Sequence, residues 1–357
     1  MTYRTFSFDE LKEIVGRRSE IVIQESATGA LLFSAYGGRL LGLYPKRRGH
    51  NALWVYEGIE EAMSGQQWMI GGERLWIAPE RDFFYENPRD FEGFHVPAGI
   101  DPGEYQKLGD TVFENIFSLL NCARNETYDN CQARRIFTPV NDPFESRLAF
   151  AGVEIKERLM ITTPNLTMAG WSLAQVYTCG AERPGTVLFP VTSDAQMLSY
   201  FEPIPRDRAE VLNGYARFRI DGAAVYKLAI RPQDIIWDNP VKAVYVTPAP
   251  DGDDWQCTIK MTDDIPQSQE ECVDVARANP GGPKGAIQSY NNGPGFSGGD
   301  QIPFGEIELQ LNRGLFDSST STSTASHTLL GYAGSKEEIL ALAGRALRID
   351  GTPEVYR

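Results

Sequence analysis

The chain has 357 residues, of which 42% are hydrophobic and 23% are charged, and its formal net charge is −14. This composition excludes a disordered, collagen-like or coiled-coil protein. An acidic surface repels phosphate backbones and anionic lipid headgroups, so we expect neither nucleic acid nor a membrane as a partner. The net charge does not exclude small neutral molecules as ligands.

The N-terminal segment predicts the compartment only by default. The first ten residues have no apolar core of the kind found in secretory signals, and no apolar run is long enough to cross a bilayer. We therefore expect a soluble protein, cytoplasmic by default, or periplasmic or secreted if a signal peptide was removed. A monomer and a homodimer are both compatible with the sequence.

Cysteine and histidine provide no metal or disulfide signature. The five cysteines form no C-x-x-C pair, and His50, His95 and His327 lie far apart in sequence. Structural zinc sites need closely spaced pairs of such ligands. We therefore predict no metal site.

Two capping-box motifs stand near the ends of the chain. Ser7 lies three residues before Glu10, and Ser335 lies three residues before Glu338. In this motif the serine side chain accepts from the backbone N–H three residues on, and the glutamate accepts from the serine N–H. The motifs predict one short helix at about residues 8–16 and another at about residues 336–347.

Between these helices the sequence is typical of a β protein. Short apolar or alternating runs are separated by turn residues, and the 34 glycines and 22 prolines indicate many turns. These runs predict antiparallel strands in a sandwich or barrel, within a single domain over residues 1–357. Apolar residues in 113–120 also have helical spacing, so that segment is ambiguous. The clearest strand runs are 20–24, 30–34, 39–43, 215–220, 243–247 and 305–311.

Aromatic and polar side chains cluster in three segments. Arg74 and Trp76 lie in the first, His95 in the second, and Trp171 and Gln175 in the third. Sugar sites combine flat aromatic faces, which contact C–H surfaces, with planar polar groups that hydrogen-bond paired hydroxyls. We therefore expect Arg74, His95, Trp171 and Gln175 around one concavity.

The alternative for these residues is purely structural. Trp171 would then pack in the core, as most tryptophans do. Arg74 would pair with a nearby surface acid, either Glu73 or Glu80. The two interpretations differ in whether the side chains share one face of the fold.

The late run 305–311 alternates polar and apolar residues. On a strand, Glu306, Glu308 and Gln310 fall on one face and the apolar residues on the other. In an ordinary sandwich the polar face meets water. In a concave ligand site, two neighbouring carboxyl groups cannot both keep ordinary pKa values. One would then suit proton transfer, while the other would bind hydroxyls or orient Arg74.

Several short motifs, in order over nearly the whole chain, carry a family resemblance. They are similar to motifs of the galactose-mutarotase-like, or aldose 1-epimerase-like, superfamily. The resemblance implies an all-β fold, a large antiparallel supersandwich whose concave face binds a sugar without a cofactor. The motifs are 37–43, 51–54, 71–76, 78–80, 165–173, 200–206, 227–230 and 305–310.

The resemblance also implies roles for particular residues. In active mutarotases a late-strand glutamate takes the anomeric hydroxyl proton and a histidine protonates the ring oxygen, because ring opening needs both a base and an acid. The glutamate corresponds to Glu308 or Glu306, and we assign the base to Glu308. Where relatives have a histidine after Asn-Leu-Thr, this chain continues with Met-Ala-Gly-Trp171. We therefore expect His95 to supply the acid.

We thus predict a protein that binds a small-molecule carbohydrate, with epimerase or mutarotase activity as the enzymatic form of that function. One alternative is a non-catalytic sugar-binding or structural supersandwich domain. A second is a hydrolase or lyase of modified saccharides that uses Glu308 with Arg74 or Lys227. The residues expected to bind the substrate are Arg74, Trp76, Trp171, Gln175, Lys227 and Glu306.

Overall fold

A computed structural model describes residues 4–238, 240–252, 254–294 and 304–357. Both predicted capping boxes are formed, with the Ser7 and Ser335 side chains each accepting from the backbone N–H three residues on. Within the described residues, no helix has the length and apolar character needed to span a membrane. The α-helices of these residues are α1 (Phe8–Gly16), α2 (Ile59–Ser64), α3 (Glu80–Phe84) and α4 (Lys336–Leu347).

Strands make up most of the regular structure. The first half of the chain contains β1 (Ile21–Glu25), β2 (Ala30–Ser34), β3 (Arg39–Tyr44), β4 (Glu73–Ala78), β5 (Tyr85–Asn87), β6 (Glu92–Phe94), β7 (Gln106–Lys107), β8 (Val112–Asn121), β9 (Glu126–Pro139), β10 (Ala149–Ile161) and β11 (Ala169–Tyr177). The second half contains β12 (Gly185–Pro190), β13 (Leu198–Ser199), β14 (Ala209–Leu212), β15 (Tyr215–Ile220), β16 (Tyr226–Ile230), β17 (Val241–Pro248), β18 (Trp255–Thr262), β19 (Ile287–Asn291), β20 (Phe304–Arg313), β21 (Leu315–Phe316) and β22 (Ser321–Gly334).

Across the described ranges these strands form two large antiparallel sheets. The first has nine strands in the order β1-β2-β3-β4-β11-β20-β19-β16-β13. The second has eleven, in the order β14-β15-β12-β17-β18-β22-β10-β9-β8-β7, with β21 paired to β22. Strands β5 and β6 form a separate pair. The predicted all-β antiparallel class with short flanking helices is therefore confirmed.

The ambiguous segment 113–120 belongs to strand β8. Its buried and exposed residues alternate, so that Phe113 and Phe117 face the core while Ile116 and Leu120 are exposed. Period-two burial of this kind is the mark of a strand with one solvated face. Apolar residues on the exposed face produced the helical spacing.

The main core lies where the two sheets face each other, and it also contains charged groups. Arg135 of β9 forms ion pairs with Glu73 of β4 and Glu157 of β10, and all three side chains are at most 2% exposed. Ser172 of β11 donates to Glu73 at 2.6 Å and accepts from Lys260 of β18 at 2.6 Å. This intersheet network uses the inward-facing residues of β4 and β11. Their neighbours along each strand point to the opposite face.

Candidate functional site

The outward face of the first sheet carries the residues predicted to form a site. Side chains alternate along a strand, so Arg74 and Trp76 project from this face of β4, opposite to Glu73. By the same rule Glu306 and Glu308 of β20 share it, and Ile307 between them faces the core. The candidate site therefore occupies the centre of the nine-stranded sheet.

Strand register groups the outward-facing residues into rows across the sheet. Gln175, Glu306, Tyr290 and Lys227 are successive register partners on β11, β20, β19 and β16. A neighbouring row contains Arg74, Leu173, Glu308 and Gln288. Directly opposed residues on adjacent strands lie about 5 Å apart at Cβ. Polar residues separated by more than 200 positions in the chain thus become neighbours.

An aromatic-lined cavity with about 40 Å³ of free volume lies over these rows. This volume is far below that of small-molecule sites, ~300–1,000 Å³, so a ligand as large as a sugar requires the lining side chains to move apart. Its charged lining consists of one arginine, one lysine and two glutamates. The lining residues are Trp68, Met69, Arg74, Trp76, Glu80, Phe94, Trp171, Leu173, Phe201, Lys227, Tyr290, Phe304 and Glu306.

A second depression, with about 300 Å³ of free volume, is lined largely by residues 24–31 and 139–142. Its two carboxylates already have partners, because Glu25 pairs with Arg47 and Asp142 accepts hydrogen bonds within its own loop. The aromatic-lined cavity, in contrast, combines several acids and bases, and we therefore take it as the candidate site.

Arg74 lies in the wall of the cavity against two tryptophans. Its Cζ is 4.1 Å from the ring centroid of Trp76 and 5.3 Å from that of Trp68. Its Nη2 donates to Oε1 of Glu306 at 2.9 Å. Burial lowers the pKa of the guanidinium, although Glu306 opposes that shift. Arg74 therefore pairs with Glu306 and not with Glu73 or Glu80, the acids of the structural alternative.

Lys227 lies between two carboxyl groups. Its Nζ is 3.1 Å from Oε2 of Glu308, 3.4 Å from Oε2 of Glu80 and 3.9 Å from the ring centroid of Trp171. Burial favours the neutral amine, but the Glu308 and Glu80 carboxylates raise the pKa of Lys227 above its ordinary value. Lys227 is therefore a fixed cation in the cavity wall.

One ammonium group cannot neutralise both of these acids. Burial raises the pKa of Glu308 to about 8 against the attraction of Lys227, and Glu306 and Glu80 add to the rise. Burial also raises the pKa of Glu80 against Lys227, and the nearby Asp274 carboxylate contributes. Asp274 in turn accepts hydrogen bonds from the backbone N–H of Glu80 and from Gln288 Nε2, both at 3.0 Å.

Several buried polar atoms at this site have no hydrogen-bond partner within the part of the chain that the structure describes. Two are donors on Arg74, Nε and Nη1, and a third donor is Nε1 of Trp171. Buried polar groups in native proteins nearly always have a partner, so these three donors indicate a polar occupant or bound water.

Five of the eight residues predicted for the site line the cavity. These are Arg74, Trp76, Trp171, Lys227 and Glu306. The other three do not line it. Oε2 of Glu308 is 3.1 Å from Lys227 Nζ, Nε2 of Gln175 is 3.7 Å from the Met69 sulfur, and Nδ1 of His95 is 3.3 Å from the Gly93 carbonyl oxygen.

Sequence reasoning did not assign a functional role to several lining residues. Glu80 was considered only as a surface partner of Arg74, although it ends the motif Ala78-Pro-Glu80. That motif was the one signal that could have identified it. Five aromatic lining residues lie on loops or strands whose approach to β4 depends on the tertiary fold. They are Trp68, Phe94, Phe201, Tyr290 and Phe304.

Glu73, Glu157 and His327 form a second cluster of metal-ligating residue types, with candidate ligand atoms within 4.8 Å of one another. The cluster is buried in the intersheet network. Arg135 binds both carboxylates there, and Nζ of Lys260 is 3.6 Å from Glu73. Because two cations already balance the two carboxylates, we interpret the cluster as a structural ion-pair network.

An antiparallel two-sheet supersandwich with a polar and aromatic cavity on one sheet defines the structural class of this protein. No protein-family model matches the sequence, and neither does any curated protein. Among solved structures, a proposed aldose 1-epimerase from Escherichia coli K12 aligns with 88% of this chain and 99% of its own, at 11% identity and a TM-score of 0.50. A galactose mutarotase related enzyme from Lactobacillus acidophilus aligns with 89% of this chain and 99% of its own, at 7% identity and a TM-score of 0.48.

The likeness to the Escherichia coli structure shows a shared fold. This chain therefore has a galactose-mutarotase-like fold, as its sequence motifs predicted. Fold alone does not determine chemistry, since unrelated activities share one scaffold.

Proposed function

We propose that the protein binds a monosaccharide or a small sugar derivative in the aromatic-lined cavity and accelerates exchange between its anomers. The observation that carries this proposal is the combination of Arg74, Glu306, Lys227 and Glu80 with aromatic rings around one small cavity. Aromatic faces contact sugar C–H surfaces, and a guanidinium or carboxylate can hydrogen-bond two hydroxyls at once. The unpaired atoms of Arg74 and Trp171 support a ligand rich in hydroxyl groups.

Anomer exchange needs a base at the anomeric hydroxyl and an acid at the ring oxygen. Two late-strand glutamates were candidates for the base. Glu306 lines the cavity, whereas Glu308 does not line it and its Oε2 lies 3.1 Å from Lys227 Nζ. We therefore assign contact with the anomeric hydroxyl to Glu306. A base role for Glu308, as the sequence motif suggested, stays a prediction.

The second candidate function is non-catalytic sugar binding. It is favoured by the replacement of the expected histidine with the segment Met168–Trp171 and by the position of His95 outside the cavity lining. Under this alternative the cavity would hold a sugar without changing its anomer ratio.

Proton NMR of anomer exchange on a panel of freshly dissolved sugars distinguishes the two functions. We expect the parent protein to accelerate exchange of at least one sugar and Glu306→Gln to lower the rate at least ~100-fold, the usual contribution of a general base. Glu337→Gln, which changes an exposed glutamate on α4, should leave the rate unchanged. Saturable binding without acceleration of any sugar would favour the non-catalytic alternative.

A further inference from the structure

The cavity lacks the histidine that the mutarotase reaction uses as its acid, and its carboxyl groups are unequally paired with cations. Glu306 has a guanidinium partner of its own, because Arg74 Nη2 lies 2.9 Å from its Oε1. Within the part of the chain that the structure describes, the cation partner of Glu80 is Lys227, which it shares with Glu308. An isolated, partly neutralised carboxyl group in a desolvated site favours its protonated form.

We propose that Glu80 is the acid of this site and that Glu306 is the opposing base, so that two carboxyl groups replace the usual glutamate and histidine. This inference rests on the proposed function. It follows from geometry, since both side chains line one cavity and only Glu306 has an unshared cation. Pairs of acids whose environments differ in this way divide into a proton donor and a proton acceptor.

The other candidates for the acid fit less well. Lys227 is held as a cation by Glu308 and Glu80 and so releases its proton reluctantly. Tyr290 donates its hydroxyl to Asn292 Oδ1 at 2.8 Å, and burial raises its pKa well above the ordinary value. His95 does not line the cavity.

The proton transfers balance without any co-reactant. The Glu306 carboxylate takes the proton of the anomeric hydroxyl, and the released O–H electron pair forms the C1 carbonyl. The bond between C1 and the ring oxygen breaks, and the ring oxygen takes the proton of Glu80. After rotation about C1–C2, the ring oxygen attacks the other carbonyl face, Glu80 regains its proton, and Glu306 returns its proton to the anomeric oxygen.

Lys227 and Glu308 fit this cycle as positioning residues. When Glu80 loses its proton, the ammonium of Lys227 lies 3.4 Å away and stabilises the new carboxylate. Glu308 shares the same ammonium, and burial raises its pKa to about 8.

Other groups must be considered in any pH profile of this site. Besides Lys227, they include one buried aspartate, two tyrosines and two glutamates. The titratable groups that interact with Glu80 are Tyr85, Lys227, Asp274, Tyr290, Glu306 and Glu308.

The test compares Glu80→Gln with Glu80→Asp and with Glu92→Gln, which changes an exposed glutamate on β6. On a sugar that the parent converts, Glu80→Gln should lower kcat at least ~100-fold with little change in KM. The parent rate should fall at high pH as Glu80 loses its proton. Glu80→Asp should restore part of the rate together with this high-pH limb, and Glu92→Gln should match the parent.

A second readout does not depend on activity. Infrared spectra at pH 6 should contain the carbonyl band of a protonated carboxylic acid, which shifts in D2O, and Glu80→Gln should lose part of that band. Full kcat in Glu80→Gln, or an unchanged band, would overturn the assignment. If the parent protein accelerates anomer exchange of no sugar, the proposed function is wrong, and so is the catalytic role of Glu80. The infrared band then reports only whether Glu80 carries a proton.

Discussion

Replacement of Arg135 by methionine should destabilise the protein strongly, because this arginine is the central cation of the intersheet network. Its Nη2 lies 2.5 Å from Glu73 and 2.6 Å from Glu157, and its Nη1 donates to the Gly38 carbonyl at 2.7 Å. The side chain is 0% exposed. Arg135→Met keeps much of the length but leaves two carboxylates buried without their main partner.

The expected loss follows from this burial. Removing one partner of a buried ion pair typically costs ~3–5 kcal/mol, and we expect about 4 kcal/mol at pH 7. Arg17 is a matched control, since it also pairs with two carboxylates, Glu13 and Glu60, but is 46% exposed. Arg17→Met should cost less than ~1 kcal/mol.

The pH dependence provides an independent check on the same residues. Burial opposes ionisation of Glu73, but Arg135 and Lys260 lower its pKa from 4.5 to about 2. A group whose pKa is lower in the folded state stabilises above its unfolded pKa and loses that contribution as pH falls through the folded value. For Glu73 this contribution to the free energy of unfolding is roughly 3 kcal/mol, and it is lost as the pH falls from about 4.5 to about 2.

Urea unfolding at pH 7 and at several values down to pH 3, followed by circular dichroism and tryptophan fluorescence, measures both effects. The difference in unfolding free energy between the parent and Arg135→Met should become smaller as pH falls. The parent loses the stability that comes from the low pKa of Glu73, whereas the variant lacks the arginine that contributes most to lowering that pKa. A loss at pH 7 no larger than that of Arg17→Met, or a gap that does not change with pH, would refute this reasoning.

Two further variants test local features of the fold by the same unfolding assay. Gly71→Ala should destabilise by more than ~1 kcal/mol, because Gly71 has φ +94° and an added Cβ would lie 2.3 Å from the Trp54 carbonyl oxygen. Gly281→Ala is the control, because no atom lies within 4 Å of its new Cβ, and it should change the free energy of unfolding by no more than ~0.5 kcal/mol. Equal losses of stability in the two variants would contradict the steric argument. Ser335→Ala should lower the free energy of unfolding by ~1 kcal/mol, because the Glu338 N–H loses its capping hydrogen bond. Ser335→Thr should recover part of this loss. An alanine variant as stable as the parent would show that the cap contributes nothing measurable.

The sequence by itself determined features that depend on neighbouring residues. The capping boxes at Ser7 and Ser335 predicted helices that the structure places at Phe8–Gly16 and Lys336–Leu347. Period-two alternation in 305–311 predicted the shared face of Glu306 and Glu308 on β20. These signals are local because hydrogen bonds within a turn and alternation along a strand involve residues a few positions apart.

Pairing between strands was decided only by the tertiary structure. Glu73 and Glu80 were the sequence-near partners proposed for Arg74, yet Arg74 pairs with Glu306, which is 232 positions away. Adjacent residues on a strand point to opposite faces, so Glu73 turns inward to Arg135 while Arg74 turns outward.

The order of groups in the cavity also depends on the tertiary structure. The motif match favoured Glu308, but Glu308 does not line the cavity, whereas Lys227 of β16, 3.1 Å from its carboxylate, does. Glu80 of α3 lines the cavity and lies 3.4 Å from the same ammonium. Which acid faces a ligand is determined by the register of β4, β11, β20, β19 and β16, and no local pattern in the sequence specifies the register of strands so far apart along the chain.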